Sequence, residues 1–250
     1  MKFQLTPAQS ALVELGILFL PGIPALIWLW PQVAGTEWNT PIQSAVYVYL
    51  IVGALFIGLR RWSWDQLGLN RKGIGFALAC GLVLIAGRLL VVLATSIPLS
   101  FQFATIERII GETIYYLLLV GLGEELIFRG LMYRALDEWR GTRLAIWGSS
   151  LGFALFHLGH GDPTIAVAFF IGAVFAAIRW RTGGIVGLIL VHALYDFSTA
   201  AIMPDLSLNS LIGQVQINSW FFVILGYAMM IGVGIYLWKA PLRRSLCNRF

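Results

Sequence analysis

Three short motifs carry most of the side chains in this chain that could take part in chemistry. In chain order they read Glu124-Glu125-x-x-x-Arg129, Phe153-x-x-x-His157 and His192-x-x-x-Asp196. Residues four apart lie on one face of an α-helix, so the motifs place Glu125 beside Arg129, Phe153 beside His157, and His192 beside Asp196. Carboxylates and imidazoles act as general bases, as oxyanion donors or as metal ligands. If the fold brings them together, the motifs indicate hydrolytic or proton-transfer chemistry.

The motifs lie in an unusually apolar chain. Of its 250 residues 59% are hydrophobic and only 12% are charged, whereas about a quarter of the residues in a soluble domain are charged. This composition predicts an integral membrane protein. A charged side chain at the bilayer centre costs about 2.5–3.5 kcal/mol on insertion scales. We therefore expect the charged groups of the motifs to pair with one another, to do chemistry, or both.

Apolar stretches of about 20 residues, the length of one crossing, predict an all-α bundle of eight transmembrane helices. No long linker or repeat interrupts them, so residues 1–250 are interpreted as one domain. The fifth stretch is short and is expected to continue to Gly161. The predicted spans are Ala11–Trp30, Ile42–Leu59, Ile74–Leu99, Ile109–Tyr133, Leu144–His157, Thr164–Trp180, Ile185–Met203 and Trp220–Trp238.

Basic residues predict the orientation of these helices. They gather in the loops after the even-numbered spans, as at Arg60, Arg140, Arg179 and Arg243, and are scarce in the alternate loops. By the positive-inside rule both termini then lie in the cytoplasm. The net charge of +5 is explained by this topology, so no nucleic-acid partner is expected. A compact chain of this kind is expected in the inner membrane of a prokaryotic cell.

Helical spacing separates the roles of the two adjacent glutamates. Glu125 precedes Arg129 by four residues, the favoured order for an ion pair. Glu124 is rotated by about 100° from Glu125 and cannot share that pair. Glu124 is therefore predicted to be the residue that is free to act.

Glycines near the motifs predict close helix packing around them. They are Gly121, Gly123, Gly130, Gly183, Gly184 and Gly187. The alternative interpretation of the motifs is that their polar side chains only form contacts that hold the helices together. Glu14, Glu112 and Arg88 are expected to have structural roles, the two glutamates because they lie near span ends.

The three motifs, in this order and on separate spans, resemble those of the CPBP family of CAAX proteases and bacteriocin-processing enzymes. This family includes the Ras- and a-factor-converting enzyme. The resemblance covers Gly111–Ala200, and Trp64–Leu69 also looks familial. The family position that matches Asp196 is often asparagine.

The resemblance implies an intramembrane endopeptidase that cleaves a membrane-associated or lipidated peptide. Glu124 and His157 would polarise a water, and His192 and Asp196 would stabilise the oxyanion. Glu125, Arg129 and Phe153 would support the site. A buried carboxylate is a stronger base than an exposed one, which agrees with the role of Glu124.

Several alternatives remain at this level. Zinc held by Glu124, His157 and His192 is one, although no His-Glu-x-x-His helix is present and the resemblance favours a mechanism without a cofactor. A non-enzymatic immunity or binding protein of the same family is the second functional class. A proton-coupled transporter is the third, but no inverted repeat supports it.

Overall fold

The computed structural model describes residues 4–93, 106–158, 162–202 and 220–239, and every regular element in these ranges is helical. We number the main helices in chain order. They are α1 (Pro7–Phe19), α2 (Asn39–Leu59), α3 (Ile74–Leu93), α4 (106–140), α5 (Thr142–Phe156), α6 (Asp162–Thr182), α7 (Val186–Ile202) and α8 (Trp220–Lys239). The all-α prediction is confirmed for this part of the chain.

The first predicted span is divided where its prolines lie. Thr6 caps α1 through a reciprocal hydrogen-bond pair with Gln9, and α1 ends at Phe19. Short helical pieces follow, at Gly22–Pro24, Ala25–Leu29 and Trp30–Val33, and the middle one has π-type turns. Proline lacks the backbone N–H and displaces the preceding turn, so Pro21 and Pro24 account for the interruption.

Helix α4 is a continuous rod that carries the first motif. It consists of five segments, Ile106–Ile114, Tyr115–Gly121, Leu122–Glu124, Glu125–Met132 and Tyr133–Arg140. The second and fourth segments are π-type turns. Such turns are rare and occur frequently at functional sites. Glu124 ends the short α-helical piece between them, and the rod itself ends at Gly141, whose φ is +88°.

Three apolar clusters form the core of the described residues, and the two larger ones both include or contact residues of α4. One contains residues of α1, α2, α4 and α5, such as Leu15, Ala54 and Phe128. The other is built on α3, α6, α7 and α8, with Phe175 and Leu188 at its centre. Helices α5 and α6 pack on each other, and α7 packs on α3 and on the Tyr115–Gly121 segment of α4. The three motifs lie where the two clusters meet.

Among the described residues, three helices are long and apolar enough to cross a membrane. They are Asn39–Leu59, Ile74–Val91 and Ile165–Thr182. Shorter apolar helices occur at Pro7–Phe19, Val186–Ser198 and Ile224–Lys239. These helices indicate an integral membrane protein, whereas the count of eight crossings and the cytoplasmic location of both termini stay predictions. Helix α5 ends at Phe156, and positions 159–161 of its predicted extension lie outside the described residues.

Candidate active site

Glu124 lies at the centre of the site and is almost completely buried. Its Oε1 accepts a hydrogen bond of 2.6 Å from the phenol of Tyr47 on α2. Its Oε2 lies 4.0 Å from Nε2 of His157 and 3.8 Å from Nε2 of His192. Oε2 has no hydrogen-bond partner among the described residues. One carboxylate oxygen is therefore fixed by α2, and the other faces the two histidines.

Glu125 and Arg129 form the ion pair that their spacing predicts. Arg129 Nη1 donates to Glu125 Oε1 over 3.0 Å, and both side chains are fully buried. Arg129 Nη2 also donates to the carbonyl of Gly172 on α6, over 3.2 Å. A Cβ at Gly172 would lie 3.4 Å from that nitrogen and 3.2 Å from Cα of Ser150. The absence of a side chain at Gly172 thus lets α6 approach the guanidinium.

Aromatic rings enclose the guanidinium and the imidazole of His192. The Cζ atom of Arg129 lies 4.2 Å from the ring centre of Phe153 and 5.5 Å from that of Phe175. The ring centre of His192 lies 5.8 Å from that of Phe153 and 5.7 Å from that of Phe175. Phe153 belongs to one core cluster and Phe175 to the other. The site is consequently held by both of these clusters, and the supporting role that the resemblance implies for Phe153 stays a prediction.

His157 is placed by the end of α5. It follows the last helical residue, Phe156, and its Nδ1 lies 2.8 Å from the carbonyl oxygen of Phe153. A carbonyl only accepts hydrogen bonds, so this contact requires a proton on Nδ1. In the neutral imidazole Nε2 is then an acceptor, and Nε2 is the atom that faces Glu124.

His192 connects both glutamates with the third motif. Its Nδ1 lies 2.8 Å from Glu125 Oε1, and its Nε2 lies 3.3 Å from Asp196 Oδ2. The sequence predicts the pairing of His192 with Asp196 but gives no indication of the contact with Glu125. A carboxylate on one ring nitrogen fixes the orientation of the ring, as in catalytic triads and metal-site histidines.

Among the described side chains of the site, exposure is greatest at His157 and Asp196. The side chain of Glu124 is 3% exposed, whereas His157 and Asp196 are 22% and 28% exposed. A reacting group can therefore approach along the edge that carries His157 and Asp196. The opposite side is closed by Glu125 and Arg129, which are completely buried.

Close helix packing positions α7 against α4. A Cβ at Gly121 would lie 2.9 Å from the carbonyl oxygen of Ile189 and 3.4 Å from the backbone nitrogen of Ala193. At Gly187 it would lie 2.9 Å from Cα of Ile74 on α3. The predicted close packing is confirmed at these two glycines, because a side chain at Gly121 would push α7, and His192 with it, away from α4, and one at Gly187 would push α7 away from α3.

The loop before α3 packs beneath the site. Leu67 is fully buried, and Gly68 has a φ of +83°, which favours glycine. The carbonyl of Gly68 accepts a 2.7 Å hydrogen bond from the backbone N–H of Ile185, just before α7. The carbonyl oxygen of Leu67 would lie 3.2 Å from a Cβ at Gly130. The Trp64–Leu69 segment thus connects α4 to the start of α7.

Arg179 is a buried residue that the sequence misplaces. The basic pattern assigns it to a cytoplasmic loop, but it lies in α6 and only 7% of it is exposed. Its Nε donates to the carbonyl of Arg129 over 3.2 Å, and its Nη2 donates to that of Gln66 over 2.9 Å. Arg179 therefore connects α4, α6 and the Trp64–Leu69 loop.

The other intramembrane charges lie outside this cluster. The guanidinium of Arg88, for which the sequence offers no partner, lies 4.5 Å from the ring centre of Tyr195. Glu14 pairs with Arg60 and Arg61 at the end of α2. Both contacts agree with the structural roles expected for these residues.

Metal-ligand geometry is not formed by the described residues. No group of three or more His, Cys, Asp or Glu side chains among them could hold a metal ion. Zinc lies about 2.0–2.2 Å from its ligands, so tetrahedral ligand atoms are roughly 3.4 Å apart. Glu124 Oε2 is farther than this from both histidine nitrogens, at 4.0 and 3.8 Å.

Comparison with known proteins supports the resemblance seen in the motifs. Residues 106–198 match the family model described as type II CAAX prenyl endopeptidase Rce1-like. This region contains all three motifs and nearly coincides with the predicted Gly111–Ala200 core. No curated protein and no solved structure matches the chain. Helices α1–α3 and α8, and with them Tyr47, lie outside the matched region.

Proposed function

We propose that this protein is an intramembrane endopeptidase in which Glu124 activates a water molecule. The observation that carries the proposal is the convergence of Glu124 Oε2 with Nε2 of His157 and of His192, at 4.0 and 3.8 Å. These distances are too long for direct hydrogen bonds but suit one water that bonds to both sides. The similarity of residues 106–198 to CAAX endopeptidases agrees with this chemistry.

Glu124 and His157 would share the activation of the water. With its proton on Nδ1, His157 presents an acceptor at Nε2, and Oε2 of Glu124 is also an acceptor. A water donating one hydrogen to each would direct a lone pair towards a carbonyl carbon at the exposed edge. Glu124 would then take the proton and deliver it to the leaving amine.

His192 and Asp196 would stabilise the oxyanion of the tetrahedral intermediate. Because Nδ1 of His192 faces Glu125, donation from Nε2 requires an imidazolium ring, and the carboxylates of Glu124 and Glu125 would balance its charge. A protonated Asp196 would serve as a second donor. Glu125 and Arg129 would hold the imidazole of His192 and helix α4 in place, without contacting the substrate directly.

The position of the site supports a proposal for the class of substrate. A buried carboxylate between membrane helices, open along one edge, suits a peptide that is already attached to or inserted in the bilayer. We propose a membrane-associated or lipidated peptide as the substrate. No cofactor is needed for the steps above.

Cleavage of defined peptides tests the proposal. The purified protein in liposomes would be given an internally quenched peptide with a prenylated cysteine near its carboxyl end, and the same peptide without the lipid. We expect the wild-type protein to cleave the peptide and Glu124→Gln to lose this activity. The control is Glu107→Gln, which changes an exposed glutamate of the same helix and should cleave as wild type does. Mass spectrometry of cellular membrane peptides from wild type and Glu124→Gln would extend the test to substrates of other kinds. If no peptide depends on Glu124 in either experiment, the protease proposal is wrong.

A further inference from the structure

The hydrogen bond between Tyr47 and Glu124 joins α2 to the proposed base. It is 2.6 Å long, and the phenol donates because Oε1 belongs to a carboxylate. Tyr47 lies on Asn39–Leu59, which is outside the region that matches the family model. None of the three motifs includes it. The contact is therefore a feature of the site that the motifs do not specify.

Packing fixes the position of the Tyr47 ring. A Cβ at Gly123 would lie only 3.1 Å from Cδ1 of Tyr47, so the missing side chain makes room for the ring beside Glu124. The ring of Tyr115 meets Tyr47 edge-on at 6.3 Å. The phenol of Tyr115 in turn donates to Oε1 of Gln43 over 2.7 Å. Two contacts from α4, with Gly123 and with Tyr115, thus hold the ring of Tyr47 where its phenol reaches Glu124, and Gln43 fixes Tyr115 in turn.

We propose that Tyr47 is a positioning residue for Glu124. Its phenol fixes Oε1, which leaves Oε2 directed at Nε2 of His157 and of His192. A neutral donor also stabilises the ionised carboxylate without adding a charge to the site. Without it, the carboxylate can rotate about its last torsion, which has no strong preference, and its two oxygens can exchange places. The inference rests on the proposed role of Glu124 as the base.

The matched control for Tyr47 lies two residues further along the same helix. Tyr49 donates its phenol to the backbone carbonyl of Leu18 over 3.2 Å, away from the site. Tyr47→Phe and Tyr49→Phe remove the same hydroxyl from the same helix. A difference between them therefore reports on the contact with Glu124.

A spectroscopic experiment tests the contact without any substrate. 3-Fluorotyrosine would be placed at position 47 or 49, and the ¹⁹F spectrum recorded with glutamate or leucine at position 124. The resonance from position 47 should shift on Glu124→Leu, and the resonance from position 49 should stay in place. Equal spectra for position 47 in the two backgrounds would overturn the inference.

Kinetics test the role of the contact with the prenylated peptide as substrate. Losing a hydrogen bond to a charged group should lower kcat of Tyr47→Phe about 10- to 100-fold, with KM within about twofold. Melting temperature should stay near wild type, since the ring remains packed on Gly123. 3-Fluorotyrosine at position 47 should restore kcat because it keeps a phenol donor, and Tyr49→Phe should behave as wild type.

The outcomes distinguish this inference from the protease proposal. If Glu124→Gln abolishes cleavage while Tyr47→Phe keeps the wild-type kcat, only the positioning role is wrong. If kcat and melting temperature fall in parallel for both tyrosine variants, the two tyrosines have a structural role, and the positioning role of Tyr47 is wrong. If the fluorine resonance shifts but no peptide depends on Glu124, the contact exists and the protease proposal has failed.

Discussion

The carboxylate of Glu125 lies 2.8 Å from Nδ1 of His192. The same oxygen, Oε1, accepts the hydrogen bond from Arg129. Glu125 therefore connects the guanidinium that stabilises the rod to the imidazole proposed to stabilise the oxyanion. Spacing along α4 accounts for the contact of Glu125 with Arg129. Only the packing of α7 on α4 creates its contact with His192. This dual contact changes what each substitution is expected to do.

Glu124→Gln should abolish cleavage without unfolding the protein. The amide has nearly the same shape and keeps an oxygen that can accept from Tyr47, but it cannot take a proton. General bases contribute about 10²–10⁴-fold to a rate, and kcat should fall by that order. Peptide cleavage and thermal unfolding in detergent measure the two effects. A variant that melts well below wild type would assign Glu124 to structure.

Glu125→Gln should lower stability and activity together. The substitution leaves Arg129 buried with its charge unpaired, and breaking such a pair typically costs about 3–5 kcal/mol. It also alters the carboxylate that orients His192. Unfolding in denaturant and cleavage of the peptide would be measured on the same preparation.

The Glu125→Gln/Arg129→Gln double variant separates these two contributions. Removing both charges should recover part of the lost stability, because no isolated charge stays buried. Activity should not return with it, since His192 still lacks its carboxylate. Recovery of both would mean that Glu125 acts only through Arg129.

Cysteine labelling should establish the orientation of the helices. In a protein without its two native cysteines, Ser63→Cys should react with a membrane-impermeant reagent only from the cytoplasm. Thr36→Cys should react only from outside. Both positions are exposed and lie at opposite ends of α2, so neither result depends on unfolding. The reverse pattern would overturn the predicted topology.

Chelation should leave the activity unchanged. In the proposed mechanism Glu124, His157 and a water need no metal ion, so dialysis against a strong chelator should not reduce peptide cleavage. Metal analysis of the purified protein should find less than one zinc per chain. Loss of activity on stripping, with recovery on adding zinc, would instead assign Glu124, His157 and His192 as ligands.

Local spacing determined much of the site. Residues four apart on a helix must share a face, so Glu125 with Arg129, Phe153 with His157 and His192 with Asp196 could be paired without a structure. Hydropathy located the helices, because about 20 apolar residues are needed to cross a bilayer. It missed their more polar ends, as in α4, which runs from 106 to 140 and not only over the predicted Ile109–Tyr133. The break in the first span followed from proline, which cannot supply its backbone N–H.

Contacts between distant segments were decided only by the tertiary structure. The donation from Tyr47 to Glu124 and the contact of Glu125 with His192 join residues 77 and 67 positions apart. In the sequence, the only hint that Tyr47 faces a polar site is Gln43, a polar residue four positions earlier on the same apolar helix. The basic pattern predicts a loop position for Arg179 because a basic residue near a span end is ordinarily solvated. Only the packed structure supplies the carbonyl groups of Arg129 on α4 and of Gln66 in the loop before α3, which let it be buried. Helical periodicity fixes which residues share a face of one helix, but which faces meet depends on the packing of the whole bundle.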